Sequence, residues 1–145
     1  MKKKPPKILI VDDDIGMVDL LERILMTRSF QVTTANNGRD ALAIAQAVHP
    51  DLVLLDIMMP DLDGYEVCRQ LKTNPETADI TVVMLSALGN LQDEKHRSFY
   101  SEVDDRLCGY DCGADEFLSK PIRVSDLLRQ MDFWTGFLCL PEEEA

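Results

Sequence analysis

The chain has 145 residues, 26 of them acidic and 15 basic, and a net charge of −11 at pH 7. That length fits one domain able to bury a core without disulfides or a structural metal. The charge repels phosphate backbones, so no direct nucleic-acid partner is expected and a basic protein surface is favoured instead.

Met1 to Lys7 is basic, and the apolar run after it, Ile8 to Val11, is too short for a signal peptide or a membrane span. No membrane association and a cytoplasmic address are therefore expected. Lys7 to Val11 is a β-branched run that stops at Asp12-Asp13-Asp14, the pattern of a central parallel strand. From Ile15 to Met26, Met17, Leu20, Leu21, Ile24 and Leu25 recur at three- and four-residue steps and predict a helix that Asp14 can cap. Phe30 to Thr34 reads as a second strand centred on Val32, Asn37-Gly38 as a turn, and Asp40 to His49 as an Ala-rich helix ended by Pro50. Leu52 to Leu55 has the length of a strand buried on both faces and ends on Asp56, ahead of the turn cluster Pro60 to Gly64.

Tyr65, Val67, Cys68 and Leu71 mark a third helix that stops before Pro75, and Ile80 to Leu85 a fourth strand closing on Ser86-Ala87. A fourth helix is expected at about 103–112, along Val103, Leu107 and Tyr110, ended by Gly113-Ala114. Glu116 to Ser119 gives a fifth strand closing on Lys120-Pro121. The last helix carries Val124, Leu127, Leu128, Met131 and Trp134 and stops near Gly136. Five strands alternating with five helical patterns predict an α/β fold with a doubly wound parallel sheet covered on both faces. Cys68, Cys108, Cys112 and Cys139 lack C-x-x-C spacing and read as buried free thiols.

The strand ends carry the chemistry. Asp12 and Asp13 follow the first strand, Asp56 the third, Ser86 the fourth and Lys120 the fifth, and in a parallel sheet these ends share one edge. Asp56 there is either a reactive group or a cap for the next helix. Converging carboxylates repel one another unless a cation neutralises them, and Mg²⁺ suits an all-oxygen site with one or two carboxylates. Asp12 and Asp13 suit the metal, which leaves Asp56 as a carboxylate nucleophile toward phosphorus, with Lys120 and Ser86 of the right types to meet the added oxygens.

These residues resemble the receiver domain of two-component response regulators, of which the chemotaxis regulator is the small stand-alone form. The likeness runs from Lys7 to about Trp134, through Ile8 to Asp14, Asp56 to Gly64, Ser86-Ala87 and Gly113 to Pro121. It implies a flavodoxin-like sheet of order 2-1-3-4-5 with five helices. It further implies that Asp56 accepts a phosphoryl group from a histidine kinase or histidine phosphotransfer protein, and that Asp12, Asp13, Asp56 and the Met58 carbonyl surround Mg²⁺. Ser86 and Lys120 would contact the phosphoryl oxygens, Phe117 matches the family's switch aromatic, and Lys120-Pro121 matches its cis peptide. Such a chain is a signalling domain, not an enzyme acting on a separate substrate, and its helix 4/strand 5 face would be read by a downstream protein target. The alternative is a receiver-fold interaction module that works without phosphorylation.

The resemblance divides the chain into a basic extension at 1–6, a receiver domain at 7–136 and an acidic tail at 137–145. After the last helix too few residues follow here for a DNA-binding domain, so the chain is expected to signal by being bound if it is whole, and through an output outside this sequence if it is a piece of a longer protein. Ser86 and Lys120 stand 34 positions apart, more than members of the family usually have. The excess, an insertion at about 89–103, holds Phe99 and Tyr100 among Lys95, His96 and Arg97. It reads as a solvated loop, a partner-binding element or an extension of helix four. Met58 and Leu88 match the family's variable positions beside the attacking water, and being apolar they predict a slowly decaying phosphoprotein.

Asp61-Leu62-Asp63-Gly64 also looks like the D-x-D-G of haloacid-dehalogenase-type phosphatases, but it does not directly follow a buried strand. As a calcium loop it fails at Tyr65. A flavin phosphate would be repelled by the acidic strand ends. His49 and His96 read as surface residues.

Overall fold

The computed structural model describes residues 5–86 and 113–136. Five parallel strands form one sheet: β1 (Lys7–Val11), β2 (Gln31–Ala35), β3 (Leu52–Asp56), β4 (Thr81–Ser86) and β5 (Glu116–Ser119). Their order is β2-β1-β3-β4-β5, as the resemblance implied. Four helices are described, α1 (Ile15–Met26), α2 (Gly38–Val48), α3 (Gly64–Thr73) and α4 (Val124–Thr135). The helix expected at 103–112 lies outside the described residues, as do the 89–103 insertion, Leu88, His96, Cys108, Cys112, Cys139 and the 137–145 tail.

Each strand side chain goes to the face its parity dictates, since side chains alternate across a strand. Leu9, Val11, Val53, Leu55, Val82 and Met84 meet Ala41 and Ala45 of α2 and Tyr65, Val67, Cys68 and Leu71 of α3. Ile8, Ile10, Leu52, Leu54, Val83 and Leu85 meet Leu21 and Leu25 of α1 and Leu127, Leu128 and Met131 of α4. A sheet buried on both faces explains why β3 is an unbroken apolar run. Cys68 is buried on the α2/α3 side of the sheet, as expected.

Several boundaries differ from the sequence reading. Phe30 is buried, but its N–H donates to the Leu25 carbonyl at the end of α1, so its backbone belongs to the turn and β2 starts at Gln31. Asn37-Gly38 is not a free turn: the Asn37 side chain accepts from the Asp40 N–H, and α2 begins at Gly38. α2 ends at Val48, with His49 as its left-handed C-cap at φ 53° ahead of Pro50. Leu20, read into the apolar stripe of α1, is 53% exposed. It lies on the solvent side of a helix whose contact line is Leu21 and Leu25.

Candidate functional site

The carboxyl edge of the sheet collects Asp12, Asp13, Asp56, Ser86 and Lys120, each at or one or two residues past the end of a strand. β1 and β3 are neighbours in register, Val11 against Leu55, which brings Asp12 beside Asp56. One carboxylate oxygen from each of Asp12, Asp13 and Asp56 lies within 4.8 Å of the others. Asp12 is fully buried, Asp56 is 6% exposed, and Asp13 faces solvent. The Lys120 ammonium bridges the two buried acids, 2.9 Å from Asp56 Oδ1 and 3.1 Å from Asp12 Oδ2. Asp12 Oδ1 accepts from the Asp14 N–H at 3.0 Å.

Three carboxylates share one ammonium, so the site holds an excess of negative charge, and the titration of its groups follows from that. Burial pushes the Asp56 carboxyl up to about 6, against the pull of Lys120 and with help from Asp12. Partial burial and the neighbouring Asp12 raise Asp13 above the ordinary carboxylate range. Burial works against the Lys120 ammonium, but Asp56 and Asp12 outweigh it, and the amine is held above its usual value. An all-oxygen set with two uncompensated charges fits a hard dication that keeps several waters, which is the preference of Mg²⁺.

Ser86, the last residue of β4, is 4% exposed. Its carbonyl accepts from the Lys120 N–H at 2.7 Å, which ties the end of β4 to the residue that carries the ammonium. Phe117 on β5 is in register with Met84 and packs partly buried against the α2/α3 side of the core. Met58 is partly buried against the same side. Lys120-Pro121 is a cis peptide. Sequence reasoning named all of these residues, and the fold brings Asp12, Asp13, Asp56, Ser86 and Lys120 to one edge.

Asp56 caps no described helix, because that role is taken elsewhere: α3 is capped by the Asp63 side chain, which accepts from the Glu66 N–H. The D-x-D-G stretch is spent on helix ends. Asp61 reaches out of the β3–α3 loop to the start of α2, accepting from the N–H groups of Gly38 and Arg39, both at 3.0 Å. Those bonds, led by Gly38, hold its carboxyl below the ordinary range. Gly64 backs the end of β3 directly. Its N–H donates to the Ile57 carbonyl at 2.6 Å, and a Cβ there would overlap the Asp56 carbonyl oxygen and lie 2.8 Å from Ile57 Cα. Sequence reasoning read Gly64 only as a turn residue and missed the reach of Asp61, for which proximity to a loop glycine and proline was the only local signal.

Residues 8–132 match the response regulator receiver domain family. The chain is 39% identical over 126 residues to the DNA-binding dual master transcriptional regulator RpaA of Synechocystis, covering 87% of this chain and 47% of RpaA. It is 43% identical over 137 residues to the response regulator PleD of Caulobacter vibrioides, covering 94% of this chain and 28% of PleD. This chain thus spans about half the length of the first curated relatives it matches. Among solved structures, the receiver domain of sensor histidine kinase PA1611 from Pseudomonas aeruginosa superposes with a TM-score of 0.76 at 25% identity, covering 91% of this chain and 98% of that one. It holds a magnesium ion in its active site cleft.

Proposed function

Since the chain belongs to the response regulator receiver domain family, we propose that it is a phosphoacceptor that takes a phosphoryl group onto Asp56 from a histidine kinase or histidine phosphotransfer protein. The observation that carries this reading is a single ammonium, Lys120, held within ion-pair distance of two buried carboxylates from separate strands, Asp12 and Asp56, with Asp13 beside them. An Asp56 oxygen attacks phosphorus, the P–N bond to the donor imidazole breaks, and the leaving nitrogen keeps the electron pair and takes up a proton. The product is an acyl phosphate.

Lys120 is already 2.9 Å from the acceptor and can follow the charge as it moves onto the phosphoryl oxygens. Asp12, Asp13 and Asp56, with the Met58 carbonyl, would hold Mg²⁺, which when bound neutralises carboxylate and phosphoryl charge together. The Ser86 hydroxyl would donate to a phosphoryl oxygen, and Phe117, on the neighbouring strand, would carry the change to the β5 face for a downstream protein. The chain then catalyses only its own phosphorylation and dephosphorylation. With a net charge of −11 it is proposed to meet protein rather than nucleic acid. No helix among the described residues is long and apolar enough to cross a membrane.

The test is incubation with acetyl phosphate and Mg²⁺ followed by intact-mass measurement. One added phosphoryl group is expected on the wild type and none on Asp56→Asn or in excess chelator. Undiminished labelling of Asp56→Asn overturns the assignment. A wild type that takes no label, yet binds its partner, would instead be an interaction module independent of phosphorylation.

A further inference from the structure

We propose that Lys72, at the end of the sheet away from Asp56, is a positioning residue for phosphoryl transfer: with Asp115 it sets the register of β5 and so the reach of Lys120. The inference rests on the phosphoacceptor reading for its kinetic arm only.

β5 has four residues and pairs with β4 alone among the described strands. Being parallel to β4, it is joined by a long crossover and takes no register from a tight turn. Its apolar pattern specifies register weakly. Only Phe117 on the α2/α3 side and Leu118 on the α1/α4 side mark it, so a one-residue slip keeps an apolar side chain on one face and sets Glu116 or Ser119 on the other. The same slip would move Lys120 by about 3.3 Å along the sheet. That is enough to break contacts of 2.9 and 3.1 Å to Asp56 and Asp12.

What distinguishes the observed register is polar. Asp115, just before β5, makes two bonds to one residue of β4: its N–H donates to the Val82 carbonyl at 2.9 Å and its Oδ2 accepts from the Val82 N–H at 2.8 Å. The Lys72 ammonium, from the last turn of α3, lies 2.9 Å from the same Oδ2 and donates to the Ile80 carbonyl at 2.6 Å. Lys72 is 17% exposed and Asp115 30%, so the pair is largely shielded from water. Gly113, at φ +96°, lies against the Lys72 stem, where a Cβ would be 2.9 Å from Lys72 Cγ. A shielded ion pair of this kind adds little net stability, and fixing register is the best-attested use of such pairs. From Asp115 to Lys120 the chain is extended and spans about 16 Å, so an anchor at the first is felt as placement at the second.

The experiment compares wild type, Lys72→Met and Lys72→Arg, each confirmed folded by circular dichroism at the assay temperature. Two readouts are taken: the phosphorylation rate with acetyl phosphate and Mg²⁺, and, on metal-free protein, the Lys120 side-chain resonances with the amide exchange of residues 116–120. Lys72→Met is expected to slow phosphorylation about 10- to 100-fold, the cost of a misplacement on the ångström scale. It should also shift the Lys120 resonances and loosen exchange in 116–120 while β1 and β3 stay protected, with Lys72→Arg restoring both. A lower Tm with an unchanged phosphorylation rate and unchanged Lys120 resonances would make the pair a stability element and overturn the proposal. If wild type takes no phosphoryl group, the phosphoacceptor reading fails by itself, and the resonance and exchange arm still decides whether Lys72 places Lys120.

Discussion

Burial pushes the Asp56 carboxyl up to about 6 from an ordinary value of 3.8. In the metal-free protein the folded state therefore keeps a proton that the unfolded chain has released between about pH 4 and pH 6, and stability falls as pH rises through that window. A shift of this size corresponds to about 3 kcal/mol. Asp56→Asn removes the penalty, so the metal-free variant should be more stable than wild type above pH 6, and the difference should shrink toward pH 4. Chemical denaturation across that range measures it, and a pH-independent difference would contradict the assignment. Proton and metal compete for the same carboxylate, so Mg²⁺ affinity should fall up to about tenfold per unit below pH 6. Titration calorimetry checks this. Met58 is apolar and partly buried just past the end of β3, so on the proposed function it cannot orient an attacking water by hydrogen bonding. Met58→Asn should shorten the lifetime of the phosphoprotein several-fold, read as loss of the added mass with time.

Among the elements, the β3–α3 connection is where close packing and function meet. Gly64→Ala would drive a methyl group into the backbone of Asp56 and Ile57. Overpacking against backbone costs about 1 to 3 kcal/mol, so a lower Tm is expected together with weakened Mg²⁺ binding, because the displaced residues include Asp56. A glycine in that run was legible only as a turn, since nothing in the local sequence reveals a neighbour's carbonyl. The strands themselves were readable, because a sheet covered on both faces demands unbroken apolar runs that stop abruptly at polar ends. The differences at Phe30 and Leu20 share one cause: side-chain burial is separate from backbone pairing and from helical periodicity. Phe30 is buried without joining the ladder, and Leu20 fits the periodicity without being buried. The bonds of Asp61 to α2 and of Lys72 to Asp115 join residues more than twenty positions apart in sequence. Such contacts depend on which elements become neighbours, and periodicity carries no information about that.

For the molecule as a whole, the carboxyl edge of the sheet is assembled from strands that each have a low-energy reason to be where they are, while the carboxylates gathered there oppose one another. A ligand that relieves this repulsion must stabilise the entire domain. Mg²⁺ at 100 times its dissociation constant is worth about 2.7 kcal/mol of global stability. For a chain of this size that is a Tm rise of roughly 5 to 10 °C, absent in a variant lacking the Asp12 carboxylate. Differential scanning calorimetry with and without the cation tests it. A negative surface of this magnitude also makes association with a basic partner salt-sensitive, through the on-rate more than the off-rate.

The Asp61 carboxylate, which belongs to the loop carrying the Met58 carbonyl, is held by the Gly38 and Arg39 amides of another helix. Those two amide protons are thus a built-in reporter. Their chemical shifts register the position of a loop that is distant in sequence, and they can be followed in ¹⁵N-enriched protein without a probe or mutation near Asp56. A titration with cation or phosphodonor should move the Gly38 and Arg39 cross-peaks before the rest of α2 responds.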